Sequence, residues 1–172
     1  MMGDRGKRRV SPVEVFTVIA MVLVGLAVLF PVYVGEHNPP NAVCTSNLKQ
    51  LMFGQLIYAE DNAGRLPLAA RWMDAGTPYI RNEQNLHCPA FRKTDPKAYG
   101  YAMDFALSGL QTKTAPDLAT TVVLFESMLL ARNATSGFYG FPDPPRHNGG
   151  NKSACLDGHV KRLNPQTEKS GP

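Results

Sequence analysis

His147, Asp157 and His159 are the residues whose types and spacing first suggest a site. Two imidazoles and a carboxylate suit a divalent transition metal. Each also has a plainer reading. Asp157-Gly158 has the composition of a tight hairpin turn, His159 opens the arm that follows, and His147 stands beside Gly149-Gly150, placed to bond a backbone carbonyl. The plainer readings prevail, so no metal and no cofactor are expected. Cys44, Cys88 and Cys155 are the other candidate ligands. No C-x2-C pair occurs among them, so their spacing carries no zinc signature. In an oxidising compartment one disulfide would form and leave one thiol over. The alternative is three buried thiols.

No catalytic constellation accompanies these residues. Ser108, Ser127 and Ser136 lack a G-x-S-x-G context. Gly149-Gly150 belongs to neither G-x-x-x-x-G-K nor G-x-G-x-x-G. The segment Phe138-Tyr139-Gly140-Phe141-Pro142 reads either as core packing near a loop or as an aromatic binding patch. A protein without enzymatic activity is expected.

The elements that would position these residues begin with a long apolar run. Val15 to Val34 holds no charged residue, and its polar groups are Thr17 and the Tyr33 hydroxyl. A helix of that length rises roughly 30 Å, the thickness of a bilayer's hydrocarbon core. Arg5, Lys7, Arg8 and Arg9 precede it, while Glu36 and His37 follow. The positive-inside rule then predicts a single-pass inner-membrane protein with its N-terminus in the cytoplasm and its C-terminal domain outside. The lipid bilayer is accordingly an expected partner. Glu14, at the edge of the run, would pair with Arg8 or Arg9. The chain carries 18 basic and 14 acidic residues, a net charge of +4. That balance, without basic runs interleaved with aromatics, excludes a nucleic-acid surface.

Pro39-Pro40 predicts a hinge over residues 35–42. Leu48, Leu51, Met52, Leu56 and Ala59 recur at three- and four-residue spacing and predict an amphipathic helix over 43–59, ended by Asp61-Asn62-Ala63-Gly64. Tyr99–Asp104 and Thr120–Glu126 read as strands, the second central because it is β-branched and apolar. Asn151–Leu163 reads as a hairpin closed by a type I′ turn at Asp157-Gly158. The expected class is α+β: a basic leader over 1–14, a transmembrane helix over 15–34, and a domain over 43–163 in which one amphipathic helix packs on a small antiparallel sheet, with a disordered tail over 164–172.

Four stretches, in this order, resemble a pseudopilin-like family with a prepilin-type N-terminus and a C-terminal H-x9-D-G signature. They are Val10-Ser11-Pro12-Val13-Glu14 leading to Phe30-Pro31; Cys44 to Gln50, continuing to Gly64-Arg65-Leu66-Pro67; Cys88-Pro89 with Tyr99-Gly100-Tyr101; and Arg146-His147 with Asp157-Gly158-His159. Aligned on Pro31, Glu14 takes the place of the family's membrane-start glutamate and Val10 that of the first mature residue, while Arg9 stands where the cut-site glycine belongs. The resemblance implies a pilin-like roll, other pilin-like subunits as partners, and a role in a secretion or pilus-type assembly. It also implies an uncleaved leader and a Cys44–Cys88 disulfide. The alternative function is a tethered binding module that does not polymerise, reading its ligand through the loops around residues 138–150.

Overall fold

The computed structural model describes residues 11–33, 40–91, 94–137, 140–147 and 150–163. The leader residues Arg9 and Val10, most of the hinge (34–39) and the tail over 164–172 lie outside the described residues. The chain divides into two units, Met1–His37 and Asn38–Pro172.

The first unit contains helix α1, Pro12–Tyr33. Its start is a capping box. The Glu14 carboxylate accepts from the Ser11 amide at 2.9 Å, and Ser11 Oγ accepts from the Val13 amide at 3.4 Å. Pro12 occupies the first helical position, where its missing N–H costs nothing. Thr17 turns its hydroxyl back onto the Val13 and Glu14 carbonyls. The membrane expectation is corrected here: among the described residues no helix is long and apolar enough to cross a membrane. The transmembrane helix, the single-pass topology and the inner-membrane location inferred from residues 15–34 therefore do not stand.

The second unit is α+β. Helix α2, Pro40–Asp61, starts at the second proline of the predicted hinge rather than after it. Proline is tolerated in a first helical turn, so Pro40 begins the helix instead of breaking it. Cys44, Leu48, Leu51, Met52 and Ala59 form its buried stripe, while Phe53 and Ile57 face outward. Helix α3, Trp72–Gly76, is a single short turn. Asn133, at φ 55°, caps it from across the fold: Asn133 Oδ1 accepts from the Met73 amide at 2.8 Å and the Asp74 amide at 3.2 Å. Trp72 Nε1 donates to the Ala134 carbonyl at 3.0 Å.

Strands β1 (Tyr101–Asp104), β2 (Val122–Glu126), β3 (Thr135–Ser136), β4 (Asn151–Cys155) and β5 (Val160–Leu163) form one sheet in the order β3-β1-β2-β4-β5. The sheet is mixed, not wholly antiparallel, because β3 joins β1 in parallel. The central β2 pairs antiparallel with both neighbours, Phe125 opposite Ala102 on one side and Ser153 on the other. All five residues of β2 are buried.

The hairpin turn differs from the two-residue type I′ expected. Only Gly158 has positive φ (89°), and its amide bonds the Cys155 carbonyl at 2.9 Å. Leu156 is drawn into the core, 2% exposed, which lengthens the loop beyond two residues. The main core lies between α2 and the sheet, around Leu48, Leu51, Trp72, Tyr101, Met103 and Leu124. A smaller cluster of Ala102, Val122, Phe125, Cys155 and Leu163 also packs in the sheet, against Phe141.

Candidate functional site

Four segments deliver ligand-type side chains to one buried point. Cys44 comes from the first turns of α2, Cys88 from the loop before β1, Glu126 from the last position of β2, and His147 from the loop before β4. Each approach has a local cause. The Cys44 thiol lies on the buried stripe of α2. The Cys88 amide is tied to the Tyr99 carbonyl at 2.8 Å. Glu126 ends a strand whose backbone is fixed on both sides by the sheet.

The ligand atoms all lie within 4.8 Å of one another. Cys44 Sγ is 3.3 Å from Cys88 Sγ, and both thiols are free. His147 Nε2 is 3.2 Å from Cys44 Sγ and 3.1 Å from Glu126 Oε1. Glu126 Oε2 accepts the Lys152 amide at 3.0 Å. Oε1 accepts no well-aligned hydrogen bond despite its closeness to the imidazole.

Arg146 clamps the rim. Its guanidinium donates to Cys88 Sγ at 3.3 Å, to the Gly100 carbonyl at 3.1 Å and to the Ser127 carbonyl at 2.5 Å, and lies 4.3 Å above the Phe91 ring. Gly100, at φ 77°, makes the close approach possible. A Cβ there would meet the Phe91 ring at 2.9 Å and Cys88 Cβ at 3.1 Å.

The electrostatics follow from this packing. Hydrogen bonding from Cys44 lowers the Cys88 thiol to about 6, helped by the Arg146 charge and the Ala90 amide against the cost of burial. The same shared proton, with burial, pushes the Cys44 thiol far up. Burial raises the Glu126 carboxyl above its ordinary range, opposed by the Lys152 amide and by His147. The packing therefore favours loss of a proton from Cys88 over Cys44, beside a carboxyl that burial makes reluctant to ionise. A surface cavity of about 440 Å³, lined by Gln84, His87, Cys88, Pro89, Asp95, Pro96 and Ala98, opens onto Cys88.

The sequence-derived residues separate into two places. His147, Cys44 and Cys88 meet in the cluster. Asp157 and His159 bond each other at the exposed hairpin tip, Nδ1 to Oδ1 at 2.6 Å, with Gly158 between them. Glu14 caps α1, and nothing is described of the Pro31 side chain. Phe138 and Tyr139 lie outside the described residues, whereas Phe141 packs on Phe125 with ring centroids 4.9 Å apart. Glu126 and Arg146 were missed as site residues. The signal for Glu126 was a lone carboxylate closing a buried apolar strand, which requires a partner to be tolerated.

No family model matches the chain, and neither a curated protein nor a solved structure matches it.

Proposed function

We propose that this chain is a non-enzymatic, pseudopilin-like assembly subunit, whose α1 packs against the α1 helices of neighbouring copies. The observation that carries this reading is the surface of α1. Val13, Phe16, Val18, Met21, Val22 and Leu23 point in all directions around the helix, and each is more than half exposed. An apolar helix surface of this extent is stabilised by burial against other helices, at about 25 cal/mol per Å² of apolar area covered.

Sedimentation equilibrium of the full chain tests it. The wild type self-associates, and Val18→Asp with Val22→Asp returns it to monomer while the far-UV circular dichroism of the second unit persists. A wild type that stays monomeric across the accessible concentration range overturns the proposal.

A further inference from the structure

The cluster of Cys44, Cys88, Glu126 and His147 gathers four metal-ligating atoms, one of which has no aligned hydrogen-bond donor. His147 Nε2 can carry one hydrogen, yet it faces both Cys44 Sγ at 3.2 Å and Glu126 Oε1 at 3.1 Å. Glu126 Oε1 is buried and without an aligned donor. Buried carboxylate oxygens in folded proteins find a donor or a cation. We propose that these four side chains form a structural site for a divalent, thiophilic metal ion of the zinc class.

The geometry suits that ion. Zinc binds thiolate sulfur at about 2.3 Å and imidazole nitrogen or carboxylate oxygen at about 2.0–2.1 Å, in a tetrahedron. Such a tetrahedron has edges of roughly 3.3–3.8 Å between ligand atoms. Three of the six edges are 3.3 Å between the two sulfurs, 3.2 Å from nitrogen to sulfur and 3.1 Å from nitrogen to oxygen, and the rest lie within 4.8 Å. Small side-chain movements accommodate the ion. Two sulfurs and an imidazole select against magnesium and calcium, which take oxygen ligands.

Charge closes the account. Two thiolates and one carboxylate supply three negative charges. A divalent ion and the Arg146 guanidinium, 3.3 Å from Cys88 Sγ, supply three positive ones. The surrounding bonds orient the ligands as outer-sphere partners do: the Lys152 amide on Glu126 Oε2 and Arg146 on Cys88 Sγ. Four protein ligands fill the tetrahedron and leave no open position, so the role is structural. The ion would pin the start of α2 to the end of β2 and to the two loops. Binding displaces the thiol protons to solvent.

The test is a cobalt(II) titration of the reduced, chelator-stripped full chain, with zinc as competitor. The expected result is one cobalt per chain, with thiolate-to-metal charge-transfer absorption and the intense visible bands of a tetrahedral site, abolished by one equivalent of zinc. Glu126→Gln weakens binding more than about tenfold, and Cys88→Ser cuts the charge-transfer band to the contribution of one thiolate. Asp157→Asn and His159→Ala, at the hairpin tip, leave both unchanged. Native mass spectrometry of the wild type, which needs no variant to fold, should show one zinc. A reduced wild type that takes up no stoichiometric metal overturns the proposal, as does metal binding that survives loss of both Cys44 and Cys88. A wild type recovered with one free thiol, and still binding no metal after reduction, assigns the sulfurs to a disulfide instead and equally overturns it.

Discussion

The Nε2 atom of His147 stands 3.1 Å from Oε1 of Glu126, with the two side chains 6% and 0% exposed. The imidazole lies beside that oxygen, and removing it deletes the contact and leaves a void in the cluster. His147→Ala should destabilise the metal-free protein by about 1–3 kcal/mol, the cost of a lost buried side chain and its polar contact. Glu126→Gln should cost less, because an amide oxygen can still accept the Lys152 amide. Urea unfolding followed by Trp72 fluorescence measures both. An alanine variant as stable as the wild type would show that the two groups do not interact.

Trp72, the chain's single tryptophan, reaches across the fold to the Ala134 carbonyl. That carbonyl also accepts the Met103 amide at 3.1 Å, so it joins α3 to the β1–β3 edge. Trp72→Phe keeps an aromatic ring but deletes the indole donor. The expected loss is about 1–2 kcal/mol plus a packing term from the smaller ring. Faster hydrogen exchange at the Met103 amide should accompany it.

Gly100 is held at φ 77° directly beneath Cys88 and Phe91. Gly100→Ala adds both backbone strain and a collision with Cys88 Cβ. A loss of about 1–3 kcal/mol is expected. The same change should loosen the Arg146 clamp, since the Gly100 carbonyl is one of its acceptors. Reaction of Cys88 with a thiol reagent in the native state should then speed up. A variant of unchanged stability and unchanged thiol reactivity would contradict the geometry.

Acid should act on the α3 cap. Hydrogen bonds from Arg132 (2.6 Å) and Asn133 (2.5 Å) hold the Asp74 carboxyl below its usual range. A depressed folded-state pKa contributes stability above the unfolded value and loses it as pH falls through the folded one. The melting-temperature gap between wild type and Asp74→Asn should therefore be constant near neutrality and narrow below the ordinary aspartate range. Because the pair is solvent-accessible, added salt should shrink the gap as well.

What the sequence made legible follows from the range of the forces involved. The Leu48–Leu51–Met52 stripe and the β-branched run of Thr121–Phe125 are local patterns, and they fold into the buried stripe of α2 and the central strand. The Ser11–Glu14 box is equally local, an S-x-x-E before an apolar run, and it competes with the arginines for the Glu14 carboxylate. Two-residue strand β3 left no readable pattern, because its place comes from Met103 and Asp104 across the sheet. Half of the site is visible in the sequence. His147 and the two cysteines stand out as ligand types, but their spacing does not group them. Their meeting with Glu126 depends on contacts between α2, β2 and two loops, and no spacing along the chain encodes such an encounter.

The two margins of the sheet are poor templates for another strand. One is β3, only two residues long, and the other is β5, which carries Lys161 and Arg162. Short or cationic margins discourage a second chain from adding its backbone there. Copies of this protein are thereby steered away from growth by strand addition, and any higher-order structure they build has to be held by side chains.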